Sequence, residues 1–229
     1  MSMNNSLSIV LPAYNEGGKI EQTVVEVDSF VERLLPDFEI IVVDDGSTDQ
    51  TGSVLKDLGR RTSRLHVITH ARNLGYGGAL RSGADKAQKR LILFMDADGQ
   101  INIKELPAFL ERITSVAAVI GVRRNRQDGS YRRALGRVGN MYLNLLLKER
   151  FEDVNCGFKL FRADDLKSMR LYSTGGLISC EILRKLLACG KQICQMPVAH
   201  YPRETGKSTG GRPHTVIRFM LETPGLFKN

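Results

Sequence analysis

The residues of this chain that could carry chemistry fall in short clusters, and the most specific is Asp96-Ala97-Asp98-Gly99-Gln100. In an extended segment residues i and i+2 point to the same side. Two carboxylates on one side, just past an apolar run, repel each other unless a cation sits between them. Hard divalent cations take oxygen ligands and bridge carboxylates to substrate phosphates, and Gln100 can add a neutral oxygen. Three further clusters are Pro12-Ala13-Tyr14-Asn15-Glu16, Asp44-Asp45-Gly46-Ser47 and Ala71-Arg72-Asn73. Tyr14 can stack on a flat base, and Glu16 can accept from its amino groups. Asp44 and Asp45 are neighbours and point to opposite sides, so one faces a ligand and the other supports the turn. A carboxylate there suits hydrogen bonds from a base or a ribose. One such cluster is an ordinary polar turn. Four in succession build one wall of a polar crevice.

The elements that must position them follow from the apolar runs. Residues 7–11, 38–43, 65–69 and 91–95 read as buried strands, and each ends at one of the four clusters. Helical patterns fill the intervals, over about 17–35, 48–61, 75–89 and 103–114, and a fifth strand spans 117–122. Such alternation predicts an α/β fold with a mostly parallel central sheet flanked by helices. Ligands in these sheets bind beyond the carboxyl ends of the strands. The rhythm breaks after residue 123. A basic loop, a helix over 131–150, a strand over 157–162, a helix over 177–189 and a strand over 192–198 follow. A Gly/Thr/Pro-rich loop, 202–213, and a helix over 214–222 complete the pattern. The spacing predicts one domain over 1–229, with a ligand-binding half, 6–122, and a C-terminal extension, 123–222.

Composition narrows the function. An apolar content of 42% excludes disorder for most of the chain. With 33 Lys and Arg against 25 Asp and Glu, the net charge of +8 suits an anionic partner: nucleic acid, a phosphorylated substrate or an acidic membrane surface. Much of the excess is late, in Arg123, Arg124, Arg126, Arg132, Arg133, Arg137, Arg203, Lys207 and Arg212. The first half has no basic stripe and no RNA or DNA module pattern, so no nucleic-acid partner is expected. The four cysteines form no CxxC and no histidine stands at ligand spacing, so reduced thiols of a cytosolic protein are expected, without zinc. No GxxxxGK[ST] occurs, and PAYNE, not GxGxxG, follows the first strand. MSMNNS lacks the features of a signal peptide, and no apolar run approaches the roughly 20 residues of a spanning helix. The expectation is a soluble chain.

LPAYNE, VVDDGSTD, ARNLGYGGALRSG and FMDADGQ, in this order, resemble the family 2 glycosyltransferases of the GT-A fold. DVNCGFKLFR at 153–162 and PVAHYPRETGKSTG at 197–210 are similar to the polyprenol-phosphate glycosyltransferases, the dolichol-phosphate mannose synthases among them. The resemblance covers about residues 6–212. It implies inverting transfer of mannose, glucose or an N-acetylhexosamine from a nucleotide sugar, GDP-mannose or a UDP-sugar, to a dolichyl or undecaprenyl phosphate, with Mg²⁺ or Mn²⁺. It implies that Pro12, Ala13, Tyr14, Glu16, Val43 and Asp45 hold the donor's nucleoside. Asp96, Ala97, Asp98 and Gln100 would hold the metal and the diphosphate. Arg123 matches an arginine near the diphosphate and the acceptor phosphate, with Arg132 and Arg133 also toward the acceptor. Arg203 would steady the diphosphate, and Lys207 stands near the lysine expected where this chain has Thr209. Gly136 replaces a frequent serine of the family. Glu181 lies where other family 2 enzymes place a base. A second implied reading is a saccharide or small-molecule acceptor, with a base at Glu181 or Asp153. The lipid reading implies a peripheral protein on the cytoplasmic face of a membrane, alone or with a membrane-anchoring subunit.

Overall fold

The computed structural model describes residues 6–124, 130–202 and 223, with the backbone alone at 130–133. Seven strands form one sheet: β1 (Leu7–Ala13), β2 (Phe38–Asp44), β3 (Leu65–Thr69), β4 (Leu91–Met95), β5 (Ala118–Arg124), β6 (Phe158–Arg162) and β7 (Ile193–Ala199). Their order is β3-β2-β1-β4-β6-β5-β7. Every pairing is parallel except those of β6, which runs antiparallel to both β4 and β5. The chain steps outward from β1 to β3, then returns to place β4 on the other side of β1. That reversal opens a crevice beyond the strand ends.

Helices cover both faces of the sheet, which is why β1, β2 and β4 are apolar at nearly every position and do not alternate. One face packs Ile9, Leu11, Ile40, Val42 and Leu93 under α1 (Ile20–Glu32), α2 (Thr51–Arg61) and α4 (Leu106–Arg112). The other packs Val10, Ile41, Val43, Ile92 and Phe94 under α3 (Tyr76–Lys86), α6 (Ala163–Lys167) and α7 (Ile178–Ala188). A third cluster joins Ile120 and Val154 to Leu143 of α5 (Ser130–Leu147) and Leu183 of α7.

The elements predicted from the sequence are present where the structure describes them, with three differences. The helix expected over 103–114 begins as a 3₁₀ turn, Ile103–Glu105, because Asn102 caps it by accepting from the Lys104 N–H and Pro107 follows at the start of α4. The short α6 is additional. The strand over 157–162 runs antiparallel between β4 and β5, where the strand pattern suggests a mostly parallel sheet without placing it. The loop over 202–213 and the helix over 214–222 lie outside the described residues.

The core carries a pH signature. Burial pushes the thiols of Cys156 and Cys180 up from 9.0 to about 12. Unfolding lets them ionise near 9, so between those values the unfolded state binds fewer protons and stability falls as pH rises. For one fully buried thiol the loss by pH 10.5 is on the order of 2 kcal/mol. Burial holds Lys159 below its usual range, which works in the opposite sense. The comparison with Cys180→Ala therefore isolates the thiol. Denaturant titrations at pH 8.5 and 10.5 should show a smaller decline in the variant. An equal decline would remove Cys180 from the account.

Candidate active site

The loops after β1, β2 and β3 and the turn after β4 meet at one end of the sheet, and hydrogen bonds lace them together. After β1, Asn15 takes a left-handed φ of 56° and its N–H donates to the Ser47 hydroxyl at 2.9 Å. Its side-chain oxygen accepts from the Thr48 N–H at 2.8 Å. The Glu16 and Gly17 amides donate to Thr51 Oγ1 and Asp49 Oδ2. This lattice holds Tyr14 outward, 41% exposed, where its ring is free for stacking and not packed beneath the first helix. Ala13 and Val43 are buried in the core, and Pro12 is half-buried. Val43 packs its side chain with Ala79 and Leu80 of α3.

The two neighbouring carboxylates at the end of β2 are both buried. Asp44 supports the turn as expected, its Oδ1 accepting from the Ser47 N–H at 3.0 Å. Asp45 reaches across to the loop after β3. Its Oδ1 accepts from His70 Nδ1 at 2.7 Å and the Leu74 N–H at 2.8 Å, and its Oδ2 from the Gly75 N–H at 2.8 Å.

Residues 96–100 form a turn, not the extended segment that the sequence suggested. Gly99, at φ 73°, lets the chain reverse. Asp98 Oδ1 folds back to accept from the Gln100 N–H at 3.1 Å. Asp96 is fixed from two sides. Tyr76 donates its hydroxyl to Asp96 Oδ1 at 2.9 Å, and the Asp96 N–H donates to the Gly157 carbonyl at 3.0 Å. The Tyr76 phenol is raised well above its usual range, first by burial and then by the Asp96 charge, so it stays a donor. A Cβ on residue 157 would overlap the Asp96 carboxylate, 1.8 Å from Oδ2, so glycine there gives the carboxylate its place. The segment after β7 joins the same turn: the Tyr201 N–H donates to the Gln100 carbonyl at 2.9 Å, and Gln100 Nε2 to the Tyr201 carbonyl at 3.3 Å. Ala97 is buried, and its carbonyl accepts from Thr23.

This oxygen donor set fits a hard divalent cation shared with a ligand. Two carboxylates and an amide oxygen are offered on one turn. No cluster of three or more His, Cys, Asp or Glu side chains able to hold a metal occurs among the described residues. Cations such as Mg²⁺ are held in this way, by one or two carboxylates together with substrate phosphates.

Basic groups stand beside the acidic turn. Arg123, at the end of β5, forms a two-point ion pair with Asp153: Nε to Oδ2 at 2.7 Å and Nη2 to Oδ1 at 2.8 Å. Burial opposes its charge, but the Asp153 bonds and charge outweigh it and raise its pKa further. Lys159, central in β6, is buried with its ammonium on the Cys156 carbonyl, within electrostatic reach of Asp96 and Asp153. Lys159 was not singled out in the sequence. A lysine within GFKLF, an otherwise apolar strand, was the signal available.

Glu181 is fully buried and engaged. It accepts from the Tyr172 N–H at 2.9 and 3.1 Å and the Ser173 N–H at 2.8 Å, and pairs with Lys185 at 3.3 Å. The loop that it holds packs on α3, where the Gly77 N–H donates to the Thr174 carbonyl at 2.8 Å. Arg132 and Arg133 fall on α5 with side chains outside the described residues, as do Arg203 and Lys207 entirely.

The profile described as Glycosyl transferase family 2 matches residues 8–187. The dodecaprenyl-phosphate galacturonate synthase of Rhizobium johnstonii is 30% identical over 94% of this chain and 64% of its own length. The undecaprenyl-phosphate 4-deoxy-4-formamido-L-arabinose transferase of Edwardsiella ictaluri is 28% identical over 90% of this chain and 63% of its own. The chain thus spans under two thirds of either relative. The undecaprenyl-phosphate mannosyltransferase of Micrococcus luteus is 28% identical, with 87% of this chain and 85% of that one covered. Among solved structures, glucosyl-3-phosphoglycerate synthase from Mycobacterium tuberculosis, in complex with Mn²⁺, UDP and glucosyl-3-phosphoglycerate, shares the fold at a TM-score of 0.76. It is 18% identical, with 97% of this chain and 80% of that one covered.

Proposed function

The chain belongs to glycosyl transferase family 2, and from that premise we propose that it transfers a sugar from a nucleotide sugar to a polyprenyl phosphate. One juxtaposition carries the reading: the acidic turn 96–100, suited to a cation and a diphosphate, lies within electrostatic reach of the Arg123 guanidinium, which Asp153 holds in place. Relatives named for dodecaprenyl and undecaprenyl phosphate support the acceptor class.

In this reading Tyr14 stacks on the donor's base, Glu16 accepts from it, and Pro12 and Ala13 shape the wall below. Val43 and Asp45 contribute from behind the wall, Asp45 by fixing the loop at 74–75. Asp96, Asp98 and Gln100 would hold Mg²⁺ or Mn²⁺, and Ala97 places the turn. When bound, the cation offsets charge on the leaving diphosphate, where negative charge develops. Arg123 draws the acceptor phosphate to the anomeric carbon, and Arg132 and Arg133 serve the same anion. Arg203 and Lys207 steady the diphosphate. The phosphate oxygen is already anionic near neutral pH, so attack with inversion requires no strong base. Glu181 is then a loop anchor and not the base, because its carboxylate is taken up by Tyr172, Ser173 and Lys185.

A lipid acceptor places the crevice at a membrane surface. No helix among the described residues is long and apolar enough to cross a membrane. On α5, however, Val138, Met141 and Leu145 are 52%, 69% and 75% exposed, and the flanking sequence adds Arg137, Lys148 and Arg150. An exposed apolar stripe with cations beside it suits peripheral contact with the anionic cytoplasmic leaflet.

A transfer assay tests the reading. GDP-mannose, UDP-glucose and UDP-N-acetylglucosamine are each offered with Mn²⁺ and undecaprenyl phosphate in phosphatidylglycerol or phosphatidylcholine vesicles, beside soluble saccharides. Labelled sugar should pass to the lipid from one donor, faster in the anionic vesicles. Transfer to a soluble saccharide with none to lipid would replace this reading by the saccharide-acceptor one.

A further inference from the structure

Behind the donor wall, three side chains from three elements form one hydrogen-bonded row: Asp45 after β2, His70 after β3 and Ser82 in α3. His70 Nδ1 stands 2.7 Å from Asp45 Oδ1, and its Nε2 stands 2.9 Å from Ser82 Oγ. The imidazole and the carboxylate side chains are only 9% and 5% exposed. Asp45 as a carboxylate can only accept, so Nδ1 carries the proton of that bond, and Ser82 occupies the other ring nitrogen. The row has the residue types of a hydrolytic triad, yet Ser82 lies within a helix with its hydroxyl directed at a buried ring. A nucleophile in that place has no room for a substrate carbonyl.

The row instead ends on the machinery of the site. The same Asp45 carboxylate accepts from the Leu74 and Gly75 amides, which are the last residues before α3. The next residue, Tyr76, holds Asp96 through its hydroxyl. Of these three donors to Asp45, two are backbone amides of one loop and His70 supplies the side-chain donor. His70 itself is tied to β2 through its N–H, which donates to the Asp44 carbonyl at 2.9 Å. Removing the imidazole leaves Asp45 buried with one donor fewer, held only by the Leu74 and Gly75 amides, so the carboxylate and the loop can shift together.

We infer that His70, oriented by Ser82, is a positioning residue that acts through Asp45 to set the donor-side geometry of the crevice. The inference rests on the nucleotide-sugar reading above. Loss of the partner behind a metal ligand typically costs roughly 10- to 100-fold, and the lower end of that range is expected for a partner behind Asp45. The expected signature is a split in kinetic constants. His70→Ala should raise the donor KM roughly 10-fold, with kcat and the acceptor KM within about threefold of the parent. His70→Asn, whose amide N–H lies near the Nδ1 position, should recover most of that loss. His70→Gln, whose amide lies nearer Nε2, should recover less. Ser82→Ala should shift the donor KM by about two- to threefold, because it frees the ring without removing it.

Calorimetric binding of UDP and GDP with Mn²⁺, by the full chain and by each variant, separates the role of His70 from the donor reading. Binding by the parent and roughly 10-fold weaker binding by folded His70→Ala supports the inference. Equal binding by the two overturns it and leaves the donor reading intact. Failure of the parent to bind either nucleotide overturns the donor reading, and the inference with it. If His70→Ala does not fold, the Asn and Gln pair decides: equal donor KM values in both would sink the Nδ1 assignment.

Discussion

Asp98→Ala is expected to lower sugar transfer by on the order of 10³-fold while leaving the fold intact. The residue sits on a half-buried turn at the end of β4, outside the packed core, so its loss removes little buried surface. The turn itself is held by other bonds, between Gln100 and Tyr201 and between Thr23 and Ala97. What the substitution removes is one of two carboxylates that would share a cation with the donor diphosphate, and a single carboxylate holds such a cation poorly. The loss should therefore appear in nucleotide affinity as well as in turnover. With Mn²⁺ present, the variant should bind the nucleoside diphosphate far more weakly than the parent. With a chelator present, the two should bind alike. Near-normal turnover by the variant in the presence of a chelator would overturn the metal-dependent reading.

Gly157→Ala tests the other carboxylate without touching it. The added methyl would stand 1.8 Å from Asp96 Oδ2 and 2.2 Å from its carboxyl carbon, closer than any non-bonded pair can come. Residue 157 is tied to the Asp96 N–H through its carbonyl, so the backbone cannot simply retreat. The carboxylate must swing away and give up the Tyr76 hydroxyl. A displacement of about 1 Å at a reacting centre costs roughly 100-fold in rate, and forcing a methyl into a packed site costs about 1–3 kcal/mol of stability. Both losses are expected. The mechanism is checked by a double substitution. Where Asp96→Ala has already removed the carboxylate, adding Gly157→Ala should change transfer and stability little, because the clash no longer exists. Additive losses would show that Gly157 acts through something other than Asp96.

The proposed transfer to a lipid phosphate is a matter of charge placement. Arg123 is held by Asp153 in a two-point geometry that a lysine could not reproduce. Lys159 lies beneath, buried and within reach of Asp96 and Asp153. Strands β5 and β6 thus carry basic groups within electrostatic reach of the acidic turn that follows β4.

The amino-acid sequence by itself determined the elements and the place of the site. Apolar runs at 7–11, 38–43 and 91–95 specify buried strands because each residue is covered from one face or the other. The polar clusters that follow them must then lie together, since parallel strands end at one edge. The positions of Asp96, Asp98 and Tyr14 at that edge were legible for that reason, since each follows directly on a buried strand. Other properties were decided only by tertiary structure. Asp45 could be read as a ligand-facing acid, but its lone pairs are directed by His70, 25 residues away. Glu181 could be read as a base, but it is spent on the amides of Tyr172 and Ser173. Gly157 carried no signal, yet it sets where Asp96 stands. The insertion of β6 between β4 and β5, antiparallel to both, creates that contact and brings Lys159 and Asp153 to Arg123. A pattern of period 2 or 3.6 shows which face of an element is buried. It does not show which strand will lie beside it, because that depends on how the separate apolar faces fit together once the chain has closed.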